Sequence, residues 1–286
     1  MTPKLQIKDH LLTAIRASIE AGRSILAVYD SDFEVEMKGD CSPLTLADKR
    51  SHAIIARWLQ ETGVPILSEE GKKIPYEERK GWNLFWIVDP LDGTKEFIKR
   101  NGEFTVNIAL VEAGKPVLGV IFVPAKNAVY FASAGLGSFR LDGKDRNAKW
   151  SELSLKELIA HSLRLPLLPS HPFPRVTRKS KNSSARPLVI VGSRSHATPE
   201  LKAFVEEKRR ECGEVEFISA GSSLKFCLVA EGKADLYPRL GPTMEWDTAA
   251  GQAIAENAGR KVLIWGTNDS LRYNREDLVN PWFVVL

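Results

Sequence analysis

The sequence predicts an α+β protein in which helices and a meander sheet come first and a smaller α/β half follows. Three observations carry this expectation. Apolar residues recur at helical spacing through the first sixty positions. Between 104 and 141, short apolar runs alternate with turn residues, the pattern of an antiparallel meander. From 187 onward, strand-like and helix-like stretches alternate, as in an α/β layer. The expected division is an N-terminal α+β half over 1–186 and a C-terminal α/β half over 187–286.

Leu11, Leu12, Ile15, Ile19 and Leu26 share one face of a helix spanning the first thirty residues. A second helix begins after Ser42-Pro43 and carries Ile54, Ile55, Trp58 and Leu59 on one side. Residues 65–67 form a short buried strand that stops at Glu69-Glu70, and 84–88 form another that stops at Asp89. The meander strands are 106–110, 117–123, 128–132 and 137–141, with Gly, Pro and Asn in the turns. Strands follow at 188–191, 215–218, 234–237 and 261–264. Helices over 199–210, 222–231 and 248–258 separate them, the last stopped by Gly259.

At 286 residues, with 43% hydrophobic and 27% charged, the chain has ample material for a core and the balance of an ordinary globular protein. Its apolar runs are too short to cross a bilayer, and the start lacks the pattern of a signal peptide. Cys41, Cys212 and Cys227 are odd in number and far apart, which argues against a disulfide framework or a thiolate metal site. The expectation is a cytoplasmic protein, with loose attachment at the inner membrane as a variant. The net charge of +4 is local: 161–187 holds Arg164, Arg175, Arg178, Lys179, Lys181 and Arg186 and no acid, and the rest carries −2. That Pro-rich segment reads as a solvated loop or insertion, or alternatively as a weak attractor of polyanionic substrates, RNA or an acidic membrane surface. No specific nucleic-acid partner is expected.

The chemistry gathers on four carboxylates in three segments. Glu69 stands in Ser68-Glu69-Glu70-Gly71, Asp89 and Asp92 in Val88-Asp89-Pro90-Leu91-Asp92-Gly93-Thr94, and Asp247 in Glu245-Trp246-Asp247-Thr248. Each cluster falls where a strand stops or a helix starts, so the side chains can converge. Hard oxygen donors of this kind suit Mg²⁺. Asp92-Gly93-Thr94 also opens a helical stretch whose free N–H groups could hold a phosphate. Each residue has a plainer reading when taken singly. Asp-Pro and Asp-Gly are common turn pairs; Glu69-Glu70 could be a solvated rim; Asp247 could cap a helix. Asp48 could be an exposed helical charge, Lys225 a snorkelling surface lysine, and His196 a surface histidine.

Taken together, the signatures Asp-Pro-Leu-Asp-Gly-Thr (89–94) and Trp-Asp-Thr-Ala-Ala-Gly (246–251) resemble those of the inositol monophosphatase superfamily of Mg²⁺-dependent phosphatases. The resemblance runs from about residue 8 onward. Asp89-Pro90-Leu91-Asp92-Gly93-Thr94-Lys95-Glu96-Phe97, Asn101-Gly102-Glu103-Phe104-Thr105 and Gly221-Ser222-Ser223-Leu224-Lys225-Phe226-Cys227 look most like its 3′(2′),5′-bisphosphate nucleotidase branch, and Gly192-Ser193-Arg194-Ser195-His196 fits that branch too.

The resemblance implies the layered αβαβα sugar-phosphatase fold and two or more Mg²⁺ ions. It implies that Glu69, Asp89, the Leu91 carbonyl, Asp92 and Asp247 hold the metals, and that Asp48 and Thr94 act on the attacking water. Gly93 and Thr94 would contact the phosphate being removed, alongside Glu69, Leu91, Asp92 and Asp247. Ser193, His196, Ser222 and Lys225 would hold the nucleotide. The implied reaction removes the 3′-phosphate of adenosine 3′,5′-bisphosphate, a by-product of sulfate assimilation, with 3′-phosphoadenylyl sulfate as a second substrate. Phosphate monoesters resist hydrolysis so strongly that acceleration can approach ~10²¹, which no single side chain supplies. No nucleophilic Cys or Asp motif calls for a phospho-enzyme, so direct attack by water is the simpler route. Inositol phosphate or fructose 1,6-bisphosphate are the alternative substrates. A non-catalytic nucleotide or RNA binder is the rival from another class.

Overall fold

The structure is a computed structural model and describes residues 3–31, 35–37, 43–143, 149–167, 186–193 and 198–286. Helix α1 (Pro3–Tyr29) leads through the strand pair β1 (Val35–Met37) and β2 (Pro43–Thr45) into α2 (Leu46–Gln60). β3 (Ile66–Ser68), the short α3 (Tyr76–Arg79), β4 (Leu84–Asp92) and the one-turn α4 (Thr94–Ile98) follow. The meander then runs through β5 (Thr105–Glu112), β6 (Lys115–Val123), β7 (Ala128–Ser133) and β8 (Gly137–Asp142). α5 (Leu155–Ala160) starts from a Ser154–Glu157 capping box, and β9 (Leu163–Arg164) adds the edge.

These strands form one seven-stranded sheet in sequence order from β3 to β9, antiparallel throughout except for the parallel β3–β4 pair. Side chains alternate across it, as strand geometry demands. Trp86, Val88, Ile108, Leu110, Leu118 and Val120 pack under α1 and α2. Phe85, Ile87, Ala109, Val111 and Ile121 face the other way, into the second core.

The second half supplies what covers that other face. β10 (Leu188–Gly192), α6 (Pro199–Cys212), β11 (Val215–Ser219), α7 (Leu224–Glu231), β12 (Tyr237–Arg239), α8 (Ala249–Asn257), β13 (Val262–Ile264) and β14 (Phe283–Val285) occur in that order. α7 and α8 bury Phe226, Cys227, Ala250 and Ile254 against the large sheet. α8 comes so close that a Cβ on Gly119 of β6 would sit 2.5 Å from the Ala250 carbonyl oxygen. Beyond those helices, β12, β14 and β13 form a small antiparallel sheet, and the parallel β10–β11 pair joins it through an Ile190–Leu236 bridge. α6 closes the stack with Leu201 and Val205 on Leu188 and Ile190. The layers therefore run helix, sheet, helix, sheet, helix, the α+β architecture expected from the sequence. No helix among the described residues is long and apolar enough to cross a membrane.

Several elements differ from their sequence-based bounds. β4 does not stop at Val88 but continues through Pro90 to Asp92. The strand expected over 234–237 begins at Tyr237, and Leu236 makes only an isolated bridge. β14 was not expected, yet it is the central strand of its sheet. In the basic segment, 163–164 are strand, while 168–185 lie outside the described residues.

Candidate active site

Asp89 and Asp92 are three residues apart, so a regular strand would point them to opposite faces. The register prevents this. Asp89 pairs with Asn107 and Asp92 with Thr105, so β4 carries one extra residue between the two pairs, a β-bulge. Their partners are two apart on β5 and share a face, which puts both aspartates on that face. Ser51 of α2 donates to the Pro90 carbonyl at 2.7 Å and pins the bulge. From the second half, Asp247 joins them at the end of a 3-10 turn just ahead of α8.

The three carboxylates offer ligand atoms that all lie within 4.8 Å of one another. Each has one oxygen committed to the protein. Asp89 Oδ1 accepts from the Leu91 N–H (3.1 Å), Asp247 Oδ2 from the Met244 N–H (2.8 Å), and Asp92 Oδ2 from Ser223 and its neighbours. The second oxygen of each accepts no hydrogen bond among the described residues, and none of the three forms an ion pair there. Burial, compounded by Glu69, Asp92, Asp247 and Asp48, pushes the Asp89 carboxyl well above the usual range. Burial, with Asp92 close by, pushes Asp247 up to about 8. Three carboxylates crowded together, each with an uncommitted oxygen and none in an ion pair among the described residues, are a donor set suited to a hard cation, and Mg²⁺ fits it.

Glu69, just past β3, lines the same cavity but is exposed at its mouth and stands outside the group of three. Asp48, in the first turn of α2, is buried and close enough to Asp89 to repel it, so it is not an exposed helical charge. The Thr94 hydroxyl donates to the Leu91 carbonyl at 3.4 Å and not to Asp48. Gly93 sits at φ +91, where a side chain would be strained and would press on the Glu103 carbonyl and Ser222.

Of these residues, Glu69, Asp92, Gly93, Thr94 and Asp247 line a cavity of about 250 Å³ together with Ser193, Ser222, Lys225, Tyr237 and Arg239, while Asp89 lies buried behind it. Lys225 is 5% exposed and so is no snorkelling lysine. Its Nζ donates to the Ser222 carbonyl at 2.5 Å, and burial pulls it down to about 8 against the opposing pull of Asp92. Ser222 holds φ +41 and donates its hydroxyl to the Glu103 carbonyl, while the Gly221 N–H donates to the Glu103 carboxylate. His196 lies outside the described residues. A second, mostly apolar cavity of about 130 Å³ adjoins the first through Ser193, Tyr237 and Arg239, walled by Leu201, Pro238 and Leu240.

Sequence reasoning did not find Arg239, Ser223, Asn107 or Thr105. Thr105 and Asn107 did carry a signal: two polar residues at period two inside an otherwise apolar strand. Arg239 had none, because a single arginine after a strand-like run looks like any surface charge.

Fold and site together define a metal-assisted phosphatase of layered α+β type, and the chain belongs to the inositol monophosphatase family, whose model matches residues 7–281. Within it, the chain is 44% identical to the 3′(2′),5′-bisphosphate nucleotidase CysQ of Shigella flexneri and to that of Escherichia coli strain K12, covering 93% of this chain and 94% of each relative. Among solved structures it is similar to CysQ from Bacteroides thetaiotaomicron, at 48% identity and a TM-score of 0.85 over 97% of both chains.

Proposed function

We propose that this chain is a Mg²⁺-dependent 3′(2′),5′-bisphosphate nucleotidase that converts adenosine 3′,5′-bisphosphate to AMP and phosphate, with 3′-phosphoadenylyl sulfate as a second substrate. One observation carries the reading: Asp92 and Asp247, two of the three clustered carboxylates, line a single cavity with two buried or half-buried cations, Lys225 and Arg239. The first set suits metal, the second a phosphate that is not cleaved. High identity to the CysQ nucleotidases supports the substrate class.

Asp89, Asp92, Asp247 and the Leu91 carbonyl would hold the ions, two or more of them, with Glu69 at the cavity mouth. Bound Mg²⁺ would neutralise the phosphoryl oxygens and acidify water. Gly93 and Thr94 bound the phosphate to be removed. Asp48, buried beside Asp89, takes a proton from the attacking water with the Thr94 hydroxyl steering it. As the new P–O bond forms, the bond to the ribose 3′-oxygen breaks, and that oxygen takes a proton from solvent. Lys225 and Arg239 hold the 5′-phosphate, with Ser193, Ser222 and His196 placing the nucleotide. The adjoining apolar cavity seats the base. A small-molecule substrate of this kind accords with a place in the cytoplasm, with loose attachment at the inner membrane as a variant.

The test is Mg²⁺-dependent phosphate release from adenosine 3′,5′-bisphosphate, inositol 1-phosphate and fructose 1,6-bisphosphate, with Asp89→Asn as the blank. Strong preference for the nucleotide, lost in the variant, is the expected result. Preference for either sugar phosphate would overturn the substrate, and release from none would overturn catalysis.

A further inference from the structure

Every hydrogen bond that Asp92 accepts among the described residues falls on one of its oxygens, Oδ2. The donors are the Ser223 N–H at 2.7 Å, the Ser223 hydroxyl at 2.8 Å, the Asn107 carboxamide at 3.2 Å and the Thr105 hydroxyl at 3.4 Å. Ser223 Oγ also accepts from Asn107 Nδ2 at 2.9 Å and lies 2.8 Å from the Asp247 carbonyl oxygen. It has one hydrogen, so it serves either Asp92 or Asp247 at a given moment. Thr105 Oγ1 stands 2.9 Å from Asn107 Oδ1, which turns the amide nitrogen toward Ser223 and Asp92. Thr105, Asn107 and Ser223 are 0%, 1% and 2% exposed, so water does not compete for these bonds.

A carboxylate held at one oxygen by several donors cannot rotate to present the other, and so Oδ1 alone faces the metal group. The pairing of β5 in the sheet uses main-chain atoms and needs neither the Asn107 amide nor the Thr105 hydroxyl. We infer that Ser223 and Asn107 are positioning residues: they fix the Asp92 carboxylate and register it against Asp247 from the other half of the sequence, preforming the site for a divalent cation. This rests on the metal reading proposed above. Groups behind metal ligands commonly change affinity 10–100-fold when removed.

The test is calorimetric titration of metal-stripped protein with Mg²⁺, for the unaltered chain and for Ser223→Ala, Asn107→Leu and Thr105→Val. Thermal unfolding without metal reports the fold. The expected result is binding weakened about 10–100-fold in the first two variants and by less in the third, while turnover at saturating Mg²⁺ stays within a few-fold. Thr105→Val keeps the shape and removes a hydroxyl whose single hydrogen serves either the Asn107 carboxamide oxygen or Asp92, so it carries the inference should the Ser223 variant not fold. Folded variants whose Mg²⁺ affinity stays within twofold of the unaltered chain would overturn the positioning role. No Mg²⁺ binding by the unaltered chain would overturn the metal reading and this inference together. Mg²⁺ binding without release of phosphate from a nucleotide would overturn the substrate alone.

Discussion

Tyr130 donates its phenolic hydrogen to Oε1 of Glu231 at 2.5 Å, and Arg140 reaches the same oxygen at 2.7 Å. Lys233 pairs with the other oxygen at 2.6 Å. Glu231 ends α7 and is fully buried, while Tyr130 and Arg140 stand on β7 and β8, so an ionic joint binds the inner helices to the large sheet. Burial, then the neighbouring acids, pushes the Tyr130 hydroxyl far above its ordinary range, which keeps it a donor. Glu231→Ala would leave the phenol unpaired inside the core and the half-buried Arg140 with Asp142 as its remaining acid. Urea unfolding is expected to show a loss of about 3 kcal/mol, against about 1 kcal/mol for Tyr130→Phe. Equal losses would mean the arginine contributes nothing.

Asp89→Asn replaces a buried carboxyl whose charged form is disfavoured by burial and by the acids around it. Without metal, its thermal midpoint should rise above that of the unaltered protein, and with Mg²⁺ the order should reverse. Turnover should fall by more than 100-fold, about 3 kcal/mol of barrier. A chelator should abolish activity of the unaltered protein, and returned Mg²⁺ should restore it.

Lys225→Met and Arg239→Met are expected to raise KM for adenosine 3′,5′-bisphosphate by about 10–100-fold, as for a lost charged hydrogen bond. KM for inositol 1-phosphate, which has no second phosphate, should change much less. Burial brings the Lys225 ammonium down to about 8, so its charge is lost as pH climbs past that point. kcat/KM on the nucleotide should therefore decline above about pH 8 in the unaltered protein, a limb that Lys225→Met should lack.

His10 of α1 is buried edge-on against Trp86, with ring centroids 5.6 Å apart. Burial lowers its pKa below 6.5 against the opposing pull of Asp9, so the fold favours the neutral ring. The unfolded chain takes up its proton near 6.5 and the folded chain only at lower pH. Stability from this group is complete above 6.5 and declines as pH falls from there toward the lowered folded value. The buried carboxyls of Asp89 and Asp247 act in the opposite sense, so the contribution of His10 is read as a difference: between pH 7.5 and 5 the midpoint of the unaltered chain should fall relative to that of His10→Leu.

The long elements were legible because their periodicity was strong: α1, α2 and the four meander strands lie within two residues of their sequence-based bounds. The carboxylates were legible as residues but not as a geometry. Pro90 lacks an N–H and Asp92-Gly93 reads as a turn, so sequence stops the strand at Val88, whereas the bulge carries it through both aspartates and turns them to one face. Asp48 and Lys225 look like surface charges in sequence, and only packing shows them buried. β14 was missed because the apolar run Trp282-Phe283-Val284-Val285-Leu286 has no alternation and no turn residues after it to mark it as a strand. Arg239 depends on that same strand for its position and was missed with it.

Arg239 pairs in register with Phe283, and β14 lies between β12 and β13. During synthesis, the carboxylates, Lys225 and Arg239 itself emerge well before the residues that complete their sheet. A ribosome stalled between Thr248 and Phe283 would have made every side chain of the cavity and still lack the strand that aligns its arginine. Translation thus installs the chemistry first and the frame last, and truncations in this stretch would be inert with an intact set of ligands.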